Sequence, residues 1–347
     1  MLWHLFILLL TFYLLSVVTD RYFIPALDRI AGKLQLNSEV AGATLMAIGS
    51  SAPEFFTALI SVMRTNGASD IGAGTIVGSA IFNILVIIGV SAMFRKAKLT
   101  WQPVFRDLIF YSISIVLMVT AFWDGHISPT EALMFVALYL IYITAVYFWQ
   151  SWLGYQTQEL EESSESESAS GWQKFIYTLS DQVMLSDKSG YAILWRFVLS
   201  IVLIGVLSYL MVESAIFVSY ALKIHPAIIA LTVLAAGTSI PDLISSVIVA
   251  KQGRGDMAIS NAVGSNIFDI LIGLGAPWLF AFATGRSSIT VATENLLSSM
   301  FLLLATVVAV SFLLIIRRWE IGRRAGFVLV LLYLAYLLYN INQVLTR

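Results

Sequence analysis

The sequence predicts an all-α polytopic membrane protein, ten transmembrane helices arranged as two inverted five-helix repeats. Three observations carry that expectation. Of the 347 residues, 59% are hydrophobic and 12% charged, where soluble domains carry about 25% charge. Apolar runs long enough to cross ~30 Å of hydrocarbon recur at roughly 2–20, 39–63, 71–93, 104–123, 131–150, 197–222, 226–250, 257–283, 292–316 and 325–345. And one stretch occurs twice, at 42–89 and at 230–275.

The duplication is read residue by residue. At an offset of 188, Gly49, Ser51, Pro53 and Glu54 fall on Gly237, Ser239, Pro241 and Asp242. At an offset of 186, Asp70, Gly78-Ser79 and Ile81-Phe82-Asn83 fall on Asp256, Gly264-Ser265 and Ile267-Phe268-Asp269. Independent apolar helices would not share Gly, Ser, Pro and acids in register. Each copy covers the second and third spans of its half, residues 1–150 and 197–347. An odd number of spans per half turns the copies upside down relative to each other, the architecture of transporters with a midplane site.

In chain order, residues 2–18 read as a retained first span, because no basic n-region or A-x-A site flanks them. The connection 151–196 contains QELEESSESESASG at 158–171, polar and acidic without apolar periodicity, which reads as a cytoplasmic linker. Sixteen of the 20 Lys and Arg fall on one side if the N-terminus is outside, including Arg21, Arg95, Lys96, Arg106, Lys251, Arg317 and Arg318. The positive-inside rule then puts both termini outside and the central loop inside. A net charge of −1 with no basic stripe excludes nucleic acid as a partner, and the absence of cysteine excludes thiol chemistry and Cys-based metal sites.

The chemistry sits in the repeats. A carboxylate inside a span costs ~2.5–3.5 kcal/mol on the most permissive scale and marks function by default. Glu54 and Asp242 each lie within an apolar span, each preceded by Pro and a Gly-[ST]-Ser triplet. The Pro removes a backbone N–H and clashes with the carbonyl four residues earlier, where Gly49 or Gly237 tolerates the distortion. The break is expected to free carbonyls near Ala47 and Ala235, beside the hydroxyls of Ser50, Ser51, Thr238 and Ser239. The third and eighth spans add Ser79 with Asn83 and Ser265 with Asp269, each pair spaced i, i+4 on one helical face. No Lys or Arg lies within these four helices to neutralise the acids. An all-oxygen set with two or three carboxylates suits Ca2+, and smaller subsets suit Na+. Asp20 and Glu213, near the ends of their spans, read as interfacial, and Asp70 and Asp256 as charges on helix N-termini.

The pattern G-[ST]-S-x-P-[ED] followed by G-S-x-I-F-[ND], repeated in inverted halves, resembles the cation/Ca2+ exchangers. GATLMAIGSSAPEFFTALISV, IVGSAIFNIL and LAAGTSIPDLISSVIVAKQGRGDMAISNAVGSNIFDI look most like the K+-dependent Na+/Ca2+ exchangers in a compact microbial form, with flanking likeness at 103–111 and 208–215. The resemblance implies a secondary-active antiporter, not an enzyme, in a plasma or bacterial inner membrane. It makes Glu54 and Asp242 the central Ca2+ ligands, and it places Ser51, Ser79, Ser239, Ser265 and the Ala47 and Ala235 carbonyls at Na+ positions, with Ser50 and Thr238 beside them. Asn83 and Asp269 would face each other across the site. An acid at Asp269 accompanies K+ dependence in animal members but also occurs in some K+-independent microbial ones, so K+ co-transport stays open. No cofactor and no obligate protein partner is expected, the ions being the cargo. The rival on the same fold is H+/Ca2+ exchange, against which stand the hydroxyl pairs that Na+ would use. A channel is opposed by the inverted duplication. An intramembrane aspartyl protease, suggested by Gly253-Arg254-Gly255-Asp256, lacks its second acid within a span.

Overall fold

The structure is a computed structural model of the whole chain and describes residues 1–33, 44, 47–64, 69–94, 97–154, 190–251, 255–291 and 293–345. The acidic stretch 158–171 and the beginning of the second predicted span lie outside the described residues. Among the described residues, the apolar runs are helical apart from the breaks at Ser51 and Ser239. Helix α1 (Leu2–Val18) passes through a π-helical turn at Thr19–Phe23 into α2 (Ile24–Lys33). The second span is α3 (Ala47–Ser50) and α4 (Ala52–Met63), and the third is α5 (Ser69–Phe82), a π turn at Asn83–Ile87 and α6 (Ile88–Phe94). Helices α7 (Trp101–Ala121) and α8 (Pro129–Leu153) complete the first half. The second half runs through α9 (Gly190–Leu222), α10 (Pro226–Ile229), a π turn at Ala230–Leu234, α11 (Ala235–Thr238), α12 (Ile240–Lys251), α13 (Gly255–Ala283), α14 (Thr293–Ile316) and α15 (Arg323–Leu345).

Among the described residues, eight helices are long and apolar enough to cross a bilayer without interruption. The two remaining predicted spans are the broken ones. Their apolar helices Ala52–Met63 and Pro226–Thr238 are too short alone, because each span is cut at its Gly-[ST]-Ser-x-Pro motif. Among the described residues, four two-residue strands stand in the connections. β1 (Ala97–Lys98) pairs with β4 (Glu320–Ile321), and β2 (His126–Ile127) with β3 (Ile289–Thr290), both antiparallel. Each pair ties a connection of one half to a connection of the other.

Packing follows apolarity and small residues. Helices α5, α6 and α13 sit at the centre, where Ile76, Val77, Ala80, Ile81, Ile84 and Ile87 are fully enclosed. Gly74 and Gly78 bring α5 onto the seventh span. A Cβ on Gly78 would fall 2.4 Å from the Leu231 carbonyl oxygen, so only hydrogen fits there. Helices α1 and α9 pack on each other and build a second apolar cluster with Leu8, Phe12, Leu15, Ile204, Met211 and Val212. Glu131 and Ser128 form a reciprocal N-terminal cap on α8, Ser128 Oγ donating to the carboxylate at 2.7 Å and the Glu131 N–H to Ser128 Oγ at 3.2 Å. One of the sixteen cations is misplaced by the sequence pattern. Arg106 is not in a connection but inside α7, 4% exposed and bonded to Asp107 at 2.8 Å.

Candidate ion site

The two broken spans place the acids. Helix α3 stops and α4 starts at Ser51, with φ −91° and ψ 6°; α11 stops and α12 starts at Ser239, with φ −89° and ψ 2°. A ψ near zero leaves the helical region, and the same step occurs at the same place in both repeats. Glu54 and Asp242 therefore lie in the first turn of a new helix, where unpaired N–H groups and the helix dipole favour negative charge. The Ala47 and Ala235 carbonyls are not freed as the motif led us to expect. Ser51 N–H donates to Ala47 O at 3.0 Å and Ser239 N–H to Ala235 O at 3.2 Å. The reason is chemical: Pro53 and Pro241 delete the bonds to Gly49 and Gly237, while the serines still close the preceding turn. Ala47 and Ala235 keep one lone pair each.

Each carboxylate faces the opposite repeat. Thr238 and Ser239 lie beside Glu54, Ser50 beside Asp242, and Ser51 beside Asp269. The crossing is reciprocal, since Ser50 and Ser51 are the repeat partners of Thr238 and Ser239. Asn83 Nδ2 donates across the same boundary to Asn266 Oδ1 at 2.8 Å, with Ser265 Oγ at 3.4 Å. All twelve residues expected at the site are buried. Ser79 and Ser265 donate their protons to the Ile76 and Ala262 carbonyls at 3.0 and 3.3 Å, leaving their lone pairs to accept a cation. Thr238 stands between the Leu234 carbonyl, at 3.1 Å, and Glu54. With a cation on the carboxylate, its one proton belongs to the carbonyl.

Six oxygens in this set make no hydrogen bond of ordinary length: Ser50 Oγ, Ser51 Oγ, Ser239 Oγ, Glu54 Oε2, Asn83 Oδ1 and Asp269 Oδ1. Each such group costs ~1–3 kcal/mol when buried unmade, a cost that a bound cation would offset. Among the described residues, no three His, Cys, Asp or Glu side chains cluster tightly enough to hold a metal by themselves. The arrangement mixes acids with hydroxyls and an amide, which fits a weakly held, exchangeable hard cation better than a resident metal.

Three features were not read from the sequence. Asp20 is exposed near the end of the first span, and what the sequence does not show is its placement relative to the second break. It lies in the π turn of the first span, accepts the Ser16 hydroxyl at 3.2 Å and stands within electrostatic reach of Asp242. Asn266 bridges both repeats; in sequence it is one of two amides in the apolar run 257–283, with Asn261, and directly follows Ser265. The motif glycines also serve as packing surfaces, Gly237 lying under the Phe12 ring and Gly49 under Ile24 and Leu27.

A buried, oxygen-lined centre between two repeats of a helical membrane protein is an architecture of secondary transporters. The chain belongs to the sodium/calcium exchanger protein family, whose profile matches residues 4–148 and 192–342. It is 27% identical to sodium/potassium/calcium exchanger 4 of Mus musculus over 97% of this chain and 80% of that protein. It is 30% identical to sodium/potassium/calcium exchanger 5 of Homo sapiens over 95% and 81%. Among solved structures it resembles the H+/Ca2+ exchanger CAX, with a TM-score of 0.73 at 16% identity over 96% of this chain and 82% of that one. It also resembles the sodium-calcium exchanger NCX_Mj soaked with Na+ and Sr2+, with a TM-score of 0.58 at 25% identity over 94% and 95%.

Proposed function

We propose that this protein exchanges Na+ for Ca2+ by alternating access around the site between the repeats. The observation that carries the reading is the reciprocal crossing of acids and hydroxyls, Glu54 against Thr238 and Ser239, Asp242 against Ser50, with six buried oxygens that make no hydrogen bond of ordinary length. Glu54 and Asp242 are the Ca2+ ligands in this reading, and Asp269 and Asn83 complete the centre. Ser51, Ser79, Ser239 and Ser265, with the second lone pairs of the Ala47 and Ala235 carbonyls, serve Na+; Ser50 and Thr238 orient the acids. Ca2+ and Na+ compete for the same oxygens and so bind in alternation. An empty centre keeps uncompensated charge in a low dielectric and resists closure, whereas a neutralised one closes. Helices α1 and α9, which pack on each other, move against the rest.

Ten crossings follow from parity in this reading. Paired strands share one side of a bilayer, so an even number of crossings separates them. Between β1 and β4 lie the uninterrupted α7, α8, α9, α13 and α14, and the broken segment Pro226–Lys251 supplies the sixth. His4 stacks on Phe217 at 3.9 Å, and the same reasoning makes the segment at 47–63 a crossing. Both termini lie outside and the acidic connection inside, by the distribution of Lys and Arg. The chain contains no cysteine, so single cysteines introduced at Ser128 and Gly322 report sidedness directly: Ser128 reacts from outside and Gly322 from inside.

The function is tested by Ca2+ uptake into proteoliposomes loaded with Na+, with external K+ present or replaced by choline. Uptake that needs the Na+ gradient is expected, and a further need for K+ would assign K+ as co-transported with Asp269 as its ligand. Uptake that ignores Na+ and follows a pH gradient would replace the reading by H+/Ca2+ exchange.

A further inference from the structure

We propose that Asn266 is a positioning residue that fixes which end of the Asn83 amide faces the ion. The inference rests on Asn83 being a cation ligand, as read above, and goes beyond it to what makes it one. An asparagine offers an oxygen at one end and two N–H donors at the other, and only the oxygen can bind a cation. Nothing in an amide's shape chooses between the two ends. Its hydrogen-bond partners do.

The chain of donors and acceptors starts at a group that has no choice. Asn266 Nδ2 donates to the Ala80 carbonyl at 3.3 Å, and a carbonyl only accepts. The same Nδ2 donates to the Tyr111 hydroxyl at 3.0 Å. Asn266 therefore presents Oδ1 on its other side, where it accepts from Asn83 Nδ2 at 2.8 Å. Asn83 in turn is left with Oδ1 on the side away from Asn266, and that oxygen is buried without a partner. Asn83, Asn266 and Tyr111 are each fully enclosed, so water offers no alternative partner. Reversing Asn83 would set its oxygen against Asn266 Oδ1 and aim two N–H donors at the cation.

The repeat explains why only one copy needs this. The partner of Asn83 at an offset of 186 is Asp269, whose two oxygens both accept in either orientation. The partner of Asn266 at the same offset is Ala80, which has no side-chain polar group. An amide is thus matched with an orienting amide, and an acid with a methyl. The asymmetry between the copies is one device seen twice. Asn83 also opens the π turn Asn83–Ile87, while Asp269 lies within the uninterrupted α13.

The test is equilibrium binding of 45Ca2+ to the purified protein, which does not depend on the coupling ion. Asn266→Leu is measured in the native background and in Asn83→Asp, where orientation no longer matters. Expected is a loss of affinity of about tenfold in the native background and less than twofold beside Asn83→Asp, a coupling of neighbours of the kind double-mutant cycles detect. Equal losses in both backgrounds would overturn the proposal and make Asn266 a structural bridge. If Asn266→Leu does not fold, Asn266→Asp decides: it still accepts from Asn83 but cannot donate to Ala80. The proposal expects affinity no weaker than native, and a bridge role expects a loss. Native protein that binds no Ca2+ would overturn the ion site itself, while native binding without Na+-driven uptake would overturn only the coupling ion.

Discussion

The Arg64 guanidinium pairs with the Glu213 carboxylate, joining the end of the first broken span to the sixth span. Arg64 also lies over the Tyr209 ring at 5.3 Å, and its carbonyl accepts from the Arg286 guanidinium at 2.7 Å. The pair is 27% and 39% exposed, so solvent screening limits it to ~0.2–1 kcal/mol. That is enough to move a two-state equilibrium up to about fivefold. If α9 moves against α4 during transport, the pair holds in one access state. Glu213→Gln is therefore expected to change the half-saturating external Na+ for Ca2+ release by up to ~5-fold, with a melting temperature lowered by no more than a few degrees. The charge swap R64E with E213R should restore the native value. A swap as impaired as the single variants would show that the pair does not gate.

The glycines at the breaks make a graded prediction about packing. A Cβ at Gly237 would fall 2.2–2.5 Å from Phe12 ring atoms, and at Gly49 2.9 Å from Ile24 Cγ1 and 3.2 Å from Leu27 Cδ1. At Gly78 it would meet the Leu231 carbonyl oxygen at 2.4 Å. Overpacking costs ~1–3 kcal/mol where neighbours cannot yield. Gly49→Ala should be mild, because side-chain tips move. Gly237→Ala should lower the melting temperature and be rescued by Phe12→Leu. Gly78→Ala should be as damaging and rescued by no side-chain change, because backbone is in the way. Tryptophan fluorescence melts of the four variants rank them, and a harmless Gly78→Ala would contradict the close approach of α5 to the seventh span.

Arg106 and Asp107 form a buried pair, 4% and 5% exposed at the side chain, with the Tyr142 hydroxyl donating to Asp107 at 3.2 Å. Removing one member of a buried pair costs ~3–5 kcal/mol because the other charge is left behind. Losing a hydroxyl donor to a charged acceptor costs ~1.5–3 kcal/mol. Asp107→Asn should thus melt well below Tyr142→Phe, and both should bind Ca2+ with native affinity once folded. A change in Ca2+ affinity in either variant would extend the ion site to this cluster.

What could be read from the chain alone was whatever repeats or has a period. The apolar runs, the two Gly-[ST]-Ser-x-Pro breaks and the residues that the breaks bring together, Glu54 with Thr238 and Asp242 with Ser50, follow from local chemistry written twice. What escaped reading depends on the third dimension or on departures from the repeat. Asn266 falls on Ala80, so comparing the copies discards it. Asp20 comes within electrostatic reach of Asp242 because α1 packs on both helices of the second break. Arg106 counts as a connection charge until its neighbour Asp107 is seen to share its burial. The Ala47 and Ala235 carbonyls stay hydrogen-bonded because Ser51 and Ser239 still close the preceding turn, which the motif alone does not show.

The central acids make the last prediction, in which stability and function move in opposite directions. Glu54 is 2% exposed with Oε2 unpartnered, and Asp269 is 1% exposed with Oδ1 unpartnered. A buried charge without a cation destabilises the empty protein, and the bound cation returns that energy as ligand stabilisation. Glu54→Gln should therefore raise the melting temperature in a Ca2+ chelator, while abolishing the upward shift that Ca2+ gives the native protein. Asp242→Asn should likewise lose the Ca2+ shift and Na+-driven uptake. At 100 times its dissociation constant a ligand stabilises by ~2.7 kcal/mol, so the native shift is several degrees and its loss is readily measured. A Glu54→Gln variant that melts lower in chelator and still gains stability from Ca2+ would show that this carboxylate is held by the protein for structure and that the ion binds elsewhere.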